Sequence, residues 1–366
     1  MSSVWLPCGE YHQDYSQDQG WWQSKFIKGK MILLLLTVFV GIPVLLPDYW
    51  IGVGTMVGYT AMGALGVQLL IGYTGLITLG HAAFIAVGAY TSTLLVLQFP
   101  WPQFLSDWGL SYPISIIAGG IVAGIWSVLF GLPSAKVKGF YLILTTMAAQ
   151  FITVDFVLTQ YVSQIGGRGQ AFSLPPGIIK IGPWIIDTEV KIYYLMAVLL
   201  TLMVIVFANL LRSKPGRAWV AIRDNDIAAE ALGINIVWYK LLAFFVAGFM
   251  GGIAGAFWVS NTAALSPEHF PWFWSLWLVG VILIGGVGSI HGAIFGSIFM
   301  VVVMELLQMS VIPLAEYYPR LLMGFAYIKD MAFGLAICAF LIYEPNGLAY
   351  RWWQAKNYFN LWPFSY

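Results

Sequence analysis

Charge is what this sequence has least of. Only 9% of its 366 residues are Asp, Glu, Lys or Arg, against roughly 25% in a soluble domain. So few charges cannot cover a water-exposed surface, and a disordered chain needs even more of them. The two cysteines, Cys8 in a polar N-terminal tail and Cys338 in an apolar run, exclude a disulfide scaffold and lack metal-ligand spacing. The four histidines, His12, His81, His269 and His291, form no His-x-x-x-His pair, so no metal site is expected. The chain has no Gly-x-x-x-x-Gly-Lys-[Ser/Thr] loop to cradle ATP and no Gly-x-Ser-x-Gly nucleophile elbow. No catalytic constellation is visible, so neither an enzyme nor a resident cofactor is expected. A net charge of +1 gives no field to recruit nucleic acid.

What the chain does have is 60% hydrophobic residues, 39 Gly and an abundance of aromatics (17 Trp, 19 Tyr, 24 Phe). This composition belongs to helices packed closely in lipid and anchored at its interfaces. The expected fold class is all-α, a polytopic transmembrane helix bundle. Its 17 basic and 16 acidic residues are clustered, and long charge-free runs separate the clusters. Tyr49 to Ser106 has none at all, enough chain to cross a bilayer twice at about 20 residues per span.

Read this way, spans are expected near 31–47, 50–71, 77–99, 113–133, 140–158, 192–211, 241–262, 273–289, 291–308 and 323–343. No small-residue cleavage site follows the first run, so it reads as a retained span. The Gly-rich stretch around Gly72, Gly75 and Gly80 forms either a turn between two spans or a break in a helix that enters and returns. The second possibility lowers the count toward eight. The organisation is then a polar tail (1–30), one transmembrane domain (31–350) and a C-terminal tail (351–366). Within the domain lie a charged segment (212–240) and a loop (159–191). Lys25, Lys28 and Lys30, Lys136 and Lys138, Arg212 to Arg223, and Arg351 with Lys356 all fall on one side of this count. The positive-inside rule makes that side, and both termini, cytoplasmic.

The segment from Arg212 to Lys240 concentrates eight charges. Ser213 and Pro215 are helix-start signals, Asp224-Asn225-Asp226 offers a second N-cap, and Gly233 is a stop. Its small residues Ala228, Ala229 and Ala231 suit a short helix entering a groove on another protein; the alternative is an ordinary juxtamembrane loop. From Gly72 to Tyr90, Gly75, Gly80 and Gly88 with several alanines make a surface without bulk, where helix backbones approach closely. Thr74, Thr78 and His81 are polar at a depth where lipid cannot satisfy them, so they face protein or a watery path. His81 is either a packing residue or part of that path. A similar glycine-histidine block recurs at Gly285, Gly286, Gly288 and His291, a faint pseudo-repeat. Asp155, Glu305, Lys329 and Asp330 sit near span ends, which counts against a proton relay at the midplane.

These blocks carry a resemblance. The 212–235 segment, Gly72-Tyr-Thr-Gly-Leu-Ile-Thr-Leu-Gly-His-Ala-Ala-Phe, Ile284-Gly-Gly-Val-Gly-Ser-Ile-His-Gly-Ala and Tyr343-Glu-Pro-Asn-Gly-Leu look like the branched-chain amino-acid (LIV-type) permeases of ATP-binding-cassette importers, in their LivM-like branch. The resemblance runs over about residues 50 to 350. It implies a bacterial inner-membrane subunit, separate ATPase subunits that hold ATP and magnesium, a homologous second permease and a soluble substrate-binding protein. It also implies an ATPase-coupling role for Pro215, Arg217, Arg223, Asp224, Asp226, Ala228, Ala229, Glu230 and Gly233. Gly75, Thr78, Gly80, His81, Gly285, Gly286, Gly288 and His291 then fall to the translocation path or its packing. Leucine, isoleucine and valine are the expected cargo, with urea or short amides as the alternative, because Gly166-Gly-Arg-Gly-Gln-Ala171 departs from the family's outer-loop pattern. From other classes, the rivals are an ion-coupled secondary transporter and an integral-membrane enzyme.

Overall fold

The computed structural model describes residues 25–135, 139–162, 172–174, 179–182, 184–317 and 320–361. The expectations placed on the N-terminal tail, on Lys136 and Lys138 and on Gly166 to Ala171 therefore lie outside the described residues. The helices are α1 (Lys25–Leu36), α2 (Asp48–Val67), α3 (His81–Gln98), α4 (Ser111–Ala135), α5 (Phe140–Phe151), α6 (Glu189–Arg212), α7 (Lys214–Asp224), α8 (Asp226–Ala231), α9 (Ile236–Thr262), α10 (Trp272–Gly285), α11 (Ile290–Tyr317), α12 (Arg320–Tyr343) and α13 (Gly347–Leu361). Wider π-type turns prolong α2 over Gln68–Tyr73 and α5 over Ile152–Val162. Among the described residues nine helices are long and apolar enough to cross a membrane, and a shorter apolar helix covers Gly29–Leu45. The chain is an all-α polytopic bundle.

Two boundaries differ from the sequence expectation for a local reason, and the C-terminal tail differs in kind. The span expected over 77–99 begins at His81, because Gly75 takes φ +69° and the chain stays irregular to Gly80. Two separate helices thus flank this stretch. The span expected over 273–289 stops at Gly285, since Gly286 and Gly288 adopt φ of 115° and 81°. The C-terminal tail is largely the helix α13.

Glycine sets the core. Without a hydrophobic force between helices in lipid, close van der Waals approach must hold them together. The most extensive helix contacts are those among α3, α4 and α9. A Cβ placed on Gly88 of α3 would lie 2.3 Å from Gly252 Cα of α9, and one on Gly119 of α4 would lie 2.8 Å from the Gly88 carbonyl. Around this trio α2 is also mostly buried, whereas α12 lies on the bundle's outside with few residues fully buried.

The two ends of the bundle differ. One gathers small paired strands: β1 (Phe172–Ser173) lies antiparallel to β4 (Ala264–Leu265), and β2 (Lys180–Ile181) pairs with β3 (Trp184–Ile185). The other gathers α7, α8, the end of α2, the α10–α11 turn and the α12–α13 corner.

Candidate coupling and translocation site

The α7–α8 segment is built by its caps. Ser213 stands at the N-cap of α7 with Pro215 in its first turn, although its hydroxyl donates back to the Leu210 carbonyl rather than capping. Arg217 donates to the Arg212 carbonyl (3.1 Å), closing the corner between α6 and α7. α7 buries Ala218, Trp219 and Ile222, and the Trp219 indole N–H donates to the Tyr239 carbonyl at 2.8 Å. Asn225 caps α8 by accepting from the Ala228 N–H (3.1 Å). Gly233 ends α8 at φ +85°, a conformation open to glycine. There the Gly233 N–H donates to Glu230 O and the Ile234 N–H to Ala229 O.

Solvent exposure sorts the residues of this segment. Ala229 is 1% exposed, packed into its own chain. Asp224, Ala228, Glu230 and Gly233 are exposed, and Asp226 is half-buried. The tip is instead made apolar by Ile227 and Leu232, 73% and 81% exposed. The sequence reading missed these two. Their signal was two large aliphatics inside an otherwise charged, small-residue segment.

Arg223 ties this segment to the bundle. Its Nη1 donates to the Gly72 carbonyl at 2.8 Å, while Nε and Nη2 donate to Asp224 Oδ1 at 3.1 and 2.9 Å. Gly75 keeps its bare face toward the Arg223 stem, where a Cβ would lie 3.2 Å from Cγ. The α10–α11 turn closes the same junction: a Cβ on Gly72 would lie 2.7 Å from the Gly288 nitrogen. Gln68 of α2 donates to the carbonyls of Gly286 (3.1 Å) and Ser289 (2.8 Å). Gly288 thus meets Gly72 and Arg223 in one place, while Gly285 packs on Gly292 and Gly296 of α11 and Gly286 on Asn346 and Ala349. A polar cleft lined by Thr74, Gly75, Leu142, Arg223, Asp224 and Lys240 opens beside it. His291 is exposed, its ring beside Phe295.

Thr78, Gly80 and His81 form a second cluster, deeper in the bundle. The start of α3 is held by side chains of neighbouring helices, with the Leu79 N–H donating to Thr146 Oγ1 (3.1 Å) and the Ala82 N–H to Ser275 Oγ (2.8 Å). Thr78 is buried and accepts from the Gly80 N–H, and Gly80 presses on the Thr146 carbonyl. The His81 ring is fully enclosed, seated against Gly66 of α2 and Gly251 of α9. Neither ring nitrogen reaches hydrogen-bond geometry, although the Gly63 carbonyl lies close by.

Two charges near span ends have partners. Glu305 accepts from the Tyr49 hydroxyl (2.7 Å), and Lys329 donates to Gln308 (3.1 Å) while standing over the Phe325 ring. At the α12–α13 corner a hydrogen bond from Arg351 holds the Glu344 carboxyl below the usual carboxylate range. Among the described residues no group of three or more His, Cys, Asp or Glu stands ready for a metal ion.

The family model described as "Branched-chain amino acid transport system / permease component" matches residues 50–328. The chain belongs to this permease family. It is similar to the high-affinity branched-chain amino acid transport system permease protein LivM of Salmonella typhimurium, 27% identical over 346 residues, which is 88% of this chain and 75% of that protein. The probable branched-chain amino acid transport permease LivM of Methanocaldococcus jannaschii is 25% identical over 248 residues, 64% of this chain and 67% of its own. The autoinducer 2 import system permease LsrC of Photorhabdus laumondii is 24% identical over 252 residues, 62% of this chain and 72% of its own. No solved structure matches. The permease is a multi-pass membrane protein, of the inner membrane in bacteria, and its relatives are transport components rather than enzymes.

Proposed function

We propose that this permease carries branched-chain or related amino acids across the inner membrane, driven by ATP that separate subunits bind and hydrolyse with magnesium. The supporting machine consists of cytoplasmic ATPase subunits, a homologous second permease and a soluble binding protein that supplies selectivity. The basic residues at the α7–α8 end argue that this end is cytoplasmic, with both termini beside it. The match to an autoinducer 2 permease keeps the cargo class broader than the family's title, so urea and short amides stay in the test set. Lys329 and Glu305 are partnered near span ends, and this favours ATP-driven over ion-coupled transport.

The observation that carries the reading is the α8 tip, where Ile227 and Leu232 project from a segment that Arg223 bonds to the end of α2. An exposed aliphatic pair on a rigidly capped turn is suited to a groove on another protein. Closing of the ATPase dimer would move α7 and α8, and the Arg223 link would pass that movement to the bundle. The test is ATP hydrolysis by the reconstituted complex with and without loaded binding protein. Ile227→Glu and Leu232→Glu, both in water-exposed positions, should leave the inserted permease intact and strip it of ATPase subunits. Full stimulation in both variants would sink the coupling role of the tip.

A further inference from the structure

Beside the Arg223 link, the polar cleft of the coupling junction has a volume of about 350 Å³, the size of a small-ligand site. It opens where four parts of the chain converge: Leu76 after α2, Leu142 of α5, Ile222 of α7 and Lys240 of α9 all line it. Leu76, Leu142 and Ile222 are buried, so one wall is aliphatic. The charges of the lining cancel, Arg223 and Lys240 against Asp224 and Asp226. A balanced site gives no preference to a plain anion or a plain cation. A molecule carrying both signs finds a complement for each.

The hydrogen bonds already made leave defined capacity. Arg223 gives three N–H groups to the Gly72 carbonyl and Asp224 Oδ1. A guanidinium has five, so two remain. Asp224 accepts both of its bonds on Oδ1, and among the described residues Oδ2 accepts none. Asn225 accepts from the Ala228 N–H through Oδ1, which leaves its side-chain NH2 group to donate. Lys240 and Asp226 have interactions of their own, and neither is needed for this set. The cleft therefore offers donors for a carboxylate, an acceptor for an ammonium and an aliphatic wall.

We propose that this cleft binds a zwitterionic α-amino acid with an aliphatic side chain. Its carboxylate sits on Arg223 and Asn225, its ammonium on Asp224 Oδ2 and its side chain against Leu76, Leu142 and Ile222. The site lies on the α7–α8 side, where imported amino acid accumulates, a point that rests on the transport reading above. Asp224 and Asn225 form the α7–α8 corner, while Leu76 and Leu142 belong to the bundle. A ligand across them ties the lever to the bundle and resists the movement that transport requires. The permease thus carries a brake set by its own product.

The full-length chain in mild detergent can be titrated with L-leucine and binding read by saturation-transfer NMR. Half-saturation should fall at about 1 mM, as for a small ligand in an open site. Leucine methyl ester lacks the anionic charge and N-acetyl-leucine the cationic one. Each should bind about fivefold more weakly, the loss expected of one partly exposed charged contact. Asp224→Asn should weaken leucine by the same factor. Glu268→Gln, the same charge loss at the opposite end of the bundle, should change nothing. In proteoliposomes with ATP enclosed, leucine in the lumen should slow uptake of labelled external leucine, and Asp224→Asn should relieve that inhibition. Equal binding of leucine and its two derivatives overturns the site, and so does binding lost on His81→Leu but kept on Asp224→Asn. Uptake that ignores lumenal leucine overturns the brake. Vesicles that import no leucine at all count against the transport reading instead, and the NMR titration still decides the cleft.

Discussion

Replacing Arg223 with Met keeps the aliphatic stem against Gly75 and removes only the guanidinium. The bond lost is charge-assisted, Nη1 to the Gly72 carbonyl at 2.8 Å. Hydrogen bonds to charged groups contribute about 1.5–3 kcal/mol when protected. The Arg223 side chain is 39% exposed, so solvent screening cuts this to roughly 1 kcal/mol. That is about a fivefold change in any equilibrium the bond controls. If the bond transmits force from α7 to α2, the loss appears in coupling: the ratio of ATP hydrolysis with and without loaded binding protein should fall about fivefold in proteoliposomes. Unfolding would shift by at most about 2–4 °C, as expected for 1 kcal/mol in a chain of 150–250 residues or more. Asp224→Asn is the control, since it breaks the neighbouring ion pair and leaves the Gly72 bond in place. Coupling that survives Arg223→Met, or falls equally in Asp224→Asn, refutes the lever.

Two further outcomes follow from glycine packing and from the enclosed histidine. Gly88→Ala drives a methyl group to 2.3 Å from the Gly252 backbone, so thermal unfolding in detergent should show a loss of about 1–3 kcal/mol or more. Gly334→Ala in α12, with nothing within 4 Å of the added carbon, should be neutral or stabilising by up to ~1 kcal/mol. Equal effects at the two sites would refute close backbone approach as the basis of the core. His81→Leu removes two buried nitrogens that lack hydrogen-bond geometry, so the folded amount should hold or rise while uptake slows. Loss of protein with normal uptake per assembled complex would make His81 a packing residue alone.

Much of this architecture was legible in the chain because charge is excluded from lipid so strongly. The charge-free runs delimit the spans to within a few residues, and Asn225 and Gly233 cap and stop α8 as their chemistry dictates. Other features were hidden because they depend on which residues meet. Nothing local to Arg223 announces that its acceptor is the carbonyl of Gly72, 151 positions away. Ala229 and Leu232 look alike as apolar residues of one short capped segment, yet one is buried in its own chain and the other faces water. α13 carries Arg351, Gln354, Lys356 and two asparagines among its aromatics, so it lacks the apolar run that marks a span. It becomes visible as a helix only when its packing against α10 and α11 is seen.

The placement of α2 explains why one bond at its end can matter to the whole bundle. α2 is a central helix, with Gly63 facing Ile85 and Gly66 facing His81. Its last turns, Gln68–Tyr73, are wound wider than an α-helix. Such turns are weak points at which a helix bends, and they recur at functional sites. Gly72 and Gly66 are six residues apart, about 9 Å along the axis. On the proposed coupling, a shift that α7 imposes at Gly72 would reach the cage around His81 with only those wider turns between them. In the described state that cage holds an imidazole without well-formed hydrogen bonds, an arrangement that raises the free energy of this state relative to any in which the ring meets a partner or water. A shift of the α2 end that parts Gly66 from His81 would release that cost. On the proposed coupling, the enclosed histidine would lower the work needed to leave the packed state, so His81→Leu should stabilise that state and slow transport at once.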